Sequence, residues 1–294
     1  MKTYLLFFGS LFLINCQNES KVPEYPHTDK SSVYEHYFGQ KIKDPYRWLE
    51  NDTSSATMDW VDRQNDFTNK HLSEIKEKEA IRSRLKELWT YERQSLPYKS
   101  GGLFIYRKND GTQDQSVYYY KKVKDGEEHL LMDPNALSDD GTVTVSGFKV
   151  SNDSSYASYK IQRSGSDWTE IAVMDMKTLK PLKDHLKWIK FSGVSWYKNG
   201  FFYSSYGQPS DGRDFSASNE YQKVYYHEIG TAQSEDKLIF EDNEHPKRSF
   251  GAYVTEDKQY LILRASEGTS GNIVFFRPIH ETAFTAIDTS FNTD

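Results

Sequence analysis

From Leu96 onward the chain repeats itself, and this repeat restricts what it can fold into more than any other feature. Four modules can be superposed. Each opens with a pair of alternating apolar and polar runs: LPYKSGGLFIYRK at 96–108, VSNDSSYASYKIQ at 150–162, VSWYKNGFFYSSY at 194–206 and VTEDKQYLILRAS at 254–266. A second pair follows in each, beginning SVYYYKKV at 116, TEIAVMDM at 169, QKVYYHEI at 222 and NIVFFRPI at 272. Period-two alternation marks half-buried strands. Module starts 54, 44 and 60 residues apart match four-stranded propeller blades with variable loops. Lys99-Ser100-Gly101-Gly102 and Lys198-Asn199-Gly200 sit between apolar runs and supply residues tolerant of the positive φ that tight hairpins require. An aromatic content of 15% suits such pleated faces. The expected fold class is mainly β, a partial β-propeller of about four blades. Four blades either close as an unusually small propeller or leave an open arc that the native protein continues.

Ahead of the repeat the pattern is different. Over 54–91 the period becomes helical: Ser54 and Ser55 are N-cap candidates, Met58, Val61, Phe67, Leu72 and Ile75 form one stripe, and Ile81, Leu85 and Leu88 form another. Two amphipathic helices with a break near Glu79 are predicted. Just before them, DPYRWLE at 44–50 packs Pro45, Tyr46, Trp48 and Leu49 into seven residues, an apolar cluster that needs something to pack against. The start, MKTYLLFFGSLFLINC, has a basic Lys2, an apolar run too short to span a bilayer as a helix, and Cys16, the single cysteine of the chain. It reads as a signal peptide over 1–16, and LINC resembles a bacterial lipobox in which Cys16 is lipidated. Asn15 departs from the small residue usual before that cysteine, and ordinary secretion with a cut elsewhere is the alternative. The polar stretch 17–32, with Pro23 and Pro26, reads as a linker. The divisions expected are then 1–16, 17–32, a helical segment over 33–92 and the propeller over 93–294.

Charge and motifs exclude several function classes. Net charge is −6, from 37 basic and 43 acidic residues that are interspersed, so no basic stripe exists for a phosphate backbone and nucleic acid is not an expected partner. The eight histidines are scattered without an H-x-x-x-H pair, and no metal site is expected. DPNALSDDG at 133–141 lacks the order of a calcium loop and reads as an Asp-Gly connection between blades. SEDKLIFEDNE at 234–244 reads as two solvated turns around a strand. Neither dinucleotide nor P-loop glycine patterns occur, and no cofactor is expected. A hydrolase nucleophile elbow, G-x-S-x-G, is also absent. Its nearest approximations, Gly193 to Tyr197 and Gly268 to Gly271, read as blade structure, so no catalytic residue is assigned.

Five segments, DPYRWLE (44–50), DPNALSDDGTV (133–143), SGSDW (164–168), IKFSGVSW (189–196) and YYHEIGTAQSEDKLIFE (225–241), resemble in order and spacing the N-terminal part of prolyl oligopeptidase, more than its relative oligopeptidase B. The resemblance covers about residues 22–280. It implies a serine-type endopeptidase in which a seven-bladed propeller caps an α/β-hydrolase domain and admits short proline-containing peptides, cut after proline. It also implies that the segment with DPYRWLE and the helices belongs to the hydrolase domain. Tyr46, Trp48 and Leu49 would then pack on a hydrolase core beyond Asp294, and the triad would lie outside this chain.

The resemblance also assigns residues. Phe191 matches a propeller phenylalanine that lines the outer substrate pocket. Ser249 and Thr269 fall where the best-known members carry larger sulfur-bearing side chains, which implies a more polar subsite. Asp167 matches an interface aspartate that pairs with an arginine of the hydrolase domain, and Trp48 is expected at the same domain interface. From the residues alone, Phe191 also reads as a strand-core aromatic, Asp167 as a turn residue, and Trp168 as an indole packed between blades. The leading expectation is the N-terminal portion of an exported bacterial peptidase, periplasmic or membrane-anchored through Cys16 and inactive by itself. The alternative is a non-catalytic propeller lipoprotein that binds peptides or a protein partner.

Overall fold

A computed structural model of the chain describes residues 23–210 and 213–291. The signal-like start and Cys16 lie outside the described residues. Two compact units divide the chain: one comprises residues up to 49 together with 54–76, the other 50–53 together with 77 onward.

In the first unit a hairpin pairs β1 (Tyr34–Tyr37) with β2 (Gln40–Lys43). Helix α1 (Ser55–Ser73) starts where expected: Ser54 stays extended and its side chain accepts from the Thr57 amide at 3.2 Å, satisfying one of the orphan donors of a helix N-terminus. The stretch read as a linker is partly structured. The Trp60 indole donates to Thr28 Oγ1 at 2.9 Å, Tyr25 packs 5.1 Å from Phe67, and the Trp48 indole donates to the Asp29 carbonyl at 2.9 Å. Indole N–H groups need acceptors once their rings are half-covered, and here residues 25–29 supply them.

The second unit begins with α2 (Lys78–Trp89), so the break between the helices falls at 74–77 and Glu79 lies in the first turn of α2. Four antiparallel sheets follow. The first contains β3 (Arg93–Gln94), β4 (Tyr98–Ser100), β5 (Leu103–Asn109), β6 (Val117–Lys121) and β7 (His129–Met132). The second is β8 (Val143–Val150), β9 (Tyr156–Arg163), β10 (Thr169–Asp175) and β11 (Lys180–Ile189). The third is β12 (Ser195–Tyr197), β13 (Gly200–Ser205), β14 (Lys223–Glu228) and β15 (Lys237–Phe240). The fourth is β16 (Ser249–Val254), β17 (Tyr260–Ser266), β18 (Asn272–Pro278) and β19 (Thr285–Asp288). Each of the last three sheets is a simple meander of four strands, as a propeller blade is.

The second and fourth modules begin about one strand earlier than the pattern places them: Val150 and Val254 end, rather than begin, their first strands, β8 and β16. A register shift between Ser146 and Lys149, with Gly147 at φ 65, breaks the two-residue alternation inside β8 and hides the strand from a period-two reading. The turns behave more simply. Gly101 (φ 53) and Gly102 (φ 82) close the β4–β5 hairpin between paired Ser100 and Leu103, the two-residue loop with both φ positive. At β12–β13 the positive φ falls on Lys198 (φ 51) instead of Gly200. Gly200 is needed for close approach, because a Cβ there would lie 2.1 Å from the His227 carbonyl.

Three apolar cores separate the four sheets in chain order. Ile105, Tyr118, Phe148 and Met174 fill the first, Ile171, Val173, Leu186 and Phe201 the second, and Val224, Phe250, Leu263 and Ile273 the third. Strand β10 shows the logic: Ala172 and Met174 face back into the first core while Ile171 and Val173 face forward into the second, so the stretch buried on both faces, Ile171 to Met174, is apolar without alternation. The apolar stripes of the helices are different. Met58, Val61, Leu72 and Ile75 on or just after α1, and Ile81, Leu85 and Leu88 on α2, are all exposed.

Candidate functional site

A four-strand meander brings its entry and its second-to-third connection to one end of the blade, and its two other hairpins to the opposite end. Phe191 lies in the entry to β12, Asp167 in the β9–β10 connection, Ser249 at the start of β16 and Thr269 in the β17–β18 connection. All four therefore belong to entry ends. Trp48 belongs to the first compact unit, where its ring is half-buried.

Phe191 is no strand-core residue. It is 68% exposed, between a buried Lys190 and a buried Ser192, and its backbone sits at φ 53. A left-handed conformation at a bulky residue costs about 1–3 kcal/mol and persists only where its surroundings enforce it. Those surroundings are visible on both sides. The Lys190 carbonyl accepts from Gln222 Nε2 at 2.8 Å. Ser192 Oγ accepts from the Ser204 amide at 2.8 Å and donates to the Gly193 carbonyl. Lys190 Nζ lies 3.9 Å from the centre of the Trp168 ring and donates to Asn219 Oδ1 at 3.1 Å. Burial pulls the Lys190 ammonium below the usual lysine value, and the charge of Asp167 opposes that shift. The chain is turned inward before and after Phe191, and the ring is left in solvent.

Trp168 anchors the neighbouring connection. Its indole donates to the Asp214 carbonyl at 2.6 Å, and it meets Trp188 edge-on at 5.4 Å and Tyr206 at 6.1 Å. A cleft of about 220 Å³ opens beside it, lined by Trp188, Asp214 and Phe215 among others. Asp167 itself is exposed, and among the described residues it makes no ion pair.

Ser249 is half-buried, with Oγ 3.5 Å from the Ser266 carbonyl. Thr269 is exposed in a loop bounded by Gly268 (φ 74) and Gly271 (φ 77). Arg248 ties the two together: it reaches Glu267 at 3.3 Å on the loop side and Asp242 at 3.1 Å on the other. Gln222 joins the Phe191 and Ser249 segments, since its Oε1 accepts from the Phe250 amide at 2.5 Å while its Nε2 serves Lys190. Sequence reasoning missed Gln222. No local signal marks it: only the fold shows Gln222 fully buried just ahead of β14, where a polar side chain needs partners.

The acidic stretch at 234–244 was also misread in part. Asp236 is not in a solvated turn: its side chain is enclosed and accepts from His227 Nδ1 at 2.7 Å and from Tyr203 Oη at 2.6 Å. His227 Nε2 lies 3.1 Å from Asp184. Burial alone would lower the imidazole pKa. The hydrogen bonds and charges of Asp236, then Asp184, outweigh it and hold the ring above its ordinary value. Ser195 points its Oγ at the Val254 amide, 2.9 Å away, inside the blade packing, and Ser270 lies in the β17–β18 loop. Among the described residues no cluster of His, Cys, Asp and Glu is placed to hold a metal ion.

Residues 25–293 match the family described as prolyl oligopeptidase, N-terminal beta-propeller domain. The chain belongs to the prolyl oligopeptidase family. It is similar to the prolyl endopeptidase of Elizabethkingia meningoseptica, 39% identical over 283 residues that cover 96% of this chain and 40% of that protein. It is also similar to prolyl oligopeptidase A of Amanita bisporigera, 33% identical over 90% of this chain and 38% of that one. Among solved structures, a prolyl endopeptidase superposes with a TM-score of 0.79 at 26% identity, covering 91% of this chain and 40% of the other. Prolyl oligopeptidase B of Galerina marginata, bound to a 35-residue hydrolysis and macrocyclization substrate, gives 0.70 at 26%, covering 89% of this chain and 41% of the other. The chain thus spans about 40% of the length of these relatives. Within the prolyl oligopeptidase family it corresponds to the propeller region, with the helices that precede it.

Proposed function

We propose that this chain is the propeller-bearing front part of a serine endopeptidase that cleaves short peptides after proline, and that its entry-end face shapes the substrate pocket. The exposed Phe191 ring carries this reading. Fold stability alone gives no reason to place a phenylalanine in solvent on a left-handed backbone, whereas an aromatic ring carried on a fixed backbone offers contact area to a peptide side chain at the cost of only two side-chain torsions. Ser249 and Thr269 give the same face a polar margin, and the exposed Asp167 carboxylate is available to an arginine outside this chain. In this reading the nucleophile, base and acid of acyl transfer come from outside residues 1–294, and the chain alone hydrolyses nothing. Export, with lipidation at Cys16, is part of the same proposal.

The test is made on the native source. Fluorophosphonate labelling is read together with the band recognised by an antibody against residues 96–280. A labelled band well above the 34.3 kDa of this chain is the expected result. An unlabelled band at that mass overturns it in favour of a non-catalytic binding propeller. Hydrolysis of a prolyl peptide by the purified chain, lost on replacing Ser195 or Ser270, would overturn the inactivity of the chain itself.

A further inference from the structure

Between the third and fourth sheets, at the ends of the strands opposite to Phe191, a cleft of about 500 Å³ is lined by Phe202, Tyr226, Leu238 and Ile239, with Arg277 among its lining residues. That volume is in the range of small-molecule sites. Arg277, on β18, is only 7% exposed, yet among the described residues it has no carboxylate within ion-pair distance. Its Nε has no hydrogen-bond partner. Its remaining contacts are weak: one Nη donates to the Ile279 carbonyl at 3.4 Å, and the guanidinium stands 5.1 Å from the Phe284 ring centre. Burial depresses its pKa with no neighbouring anion to oppose the shift. Buried cations are normally paired, because desolvation is otherwise uncompensated.

We infer that the Arg277 cleft is a binding site for a small organic monocarboxylate with an apolar or aromatic body. A guanidinium is a planar fork that takes a carboxylate through two parallel hydrogen bonds. The Phe202 and Tyr226 rings, 5.0 Å apart, form a wall on which such a body packs. The exposed rim carries Glu228, Glu235 and Glu281 as well as Lys198 and Lys237. The carboxylates outnumber the lysines around the mouth by one, which disfavours a multiply charged phosphate and leaves a single negative charge as the better match to one buried arginine. This site goes beyond the peptidase reading and does not depend on it.

The test uses the full chain and ligand-observed NMR with N-acetyl-L-phenylalanine, its carboxamide and inorganic phosphate as probes. The acid is expected to bind at least tenfold more tightly than the amide, and phosphate in equal concentration is expected not to displace it. Arg277→Gln is expected to bring the acid to the level of the amide, while Glu281→Gln keeps the preference. Equal binding of acid and amide, or no binding of either, overturns the site. Displacement by phosphate overturns its selectivity for a carboxylate. The acid and amide comparison needs only the wild-type chain, so it decides the matter even if the arginine variant fails to fold.

Discussion

The carbonyl of Lys190 and the amide of Phe250 are held by one side chain, the fully buried amide of Gln222, at 2.8 and 2.5 Å. Lys190 precedes the exposed Phe191 and Phe250 follows Ser249, so one internal clamp sets the entry of the third blade against the first strand of the fourth. Gln222→Leu keeps the volume but strands two buried backbone groups. Each such group costs about 1–3 kcal/mol, so the variant is expected to lose roughly 2–6 kcal/mol in urea unfolding. A loss below about 0.5 kcal/mol, the scatter of ordinary surface substitutions, would show that the clamp is not structural.

Phe191→Gly separates a functional ring from a structural one. With the ring mostly in solvent little burial is lost, and glycine adopts φ 53 without the left-handed penalty of about 1–2 kcal/mol. Glycine's own entropic cost of about 0.5–1 kcal/mol offsets part of that relief. Unchanged or slightly higher stability is therefore expected in denaturant melts and, under the peptidase reading proposed above, weaker substrate affinity in the longer protein. Destabilisation beyond about 2 kcal/mol would mean that the ring packs in a way its exposure does not reveal.

The blade count, the two helices and the Gly101-Gly102 turn were legible because each rests on local chemistry: a two-residue period, a helical period, and a positive φ that glycine tolerates. Strand β8 was misplaced because a bulge at Gly147 reversed the alternation part-way along it. Asp236 reads as solvated because its partners, His227 and Tyr203, are 9 and 33 residues away in the chain, and nothing local marks a carboxylate for burial. The candidate site divides the same way. Phe191, Ser249 and Thr269 came from family resemblance, and their convergence on one end of the blades follows from meander topology. Gln222, Lys190 and Asn219, which fix that arrangement, act across blades and are silent in a linear reading.

The His227 pair gives the stability of the second and third blades a pH dependence of known sign. The ring is faced by Asp184 from β11, by Asp236 from the turn before β15, and by Phe201 and, through Asp236, Tyr203 from β13. With the folded pKa raised, the native state binds more protons than the unfolded chain between about pH 6.5 and the folded value. The His227 contribution is therefore complete below about pH 6.5 and is lost as pH rises through the folded pKa. Urea midpoints measured from pH 5 to 9 should fall more steeply in the wild type than in His227→Gln. A difference between the two proteins that grows with pH would have the wrong sign and would sink the assignment of a protonated ring.

The exposed stripe of α2 is the last feature with a measurable consequence. Ile81, Leu85 and Leu88 recur at helical spacing and are each more than half exposed, a contiguous apolar surface of the kind that soluble monomers rarely leave open. The purified chain is expected to bind a hydrophobic dye and to run as associated species in size exclusion. Replacing the three residues by lysine should suppress both while leaving the far-ultraviolet circular dichroism of the sheets unchanged, because none of the three belongs to an inter-blade core. Should the wild-type chain prove monodisperse and dye-silent, its apolar helix face would need no partner. The stand-alone binding propeller would then account for this chain better than the front part of a peptidase.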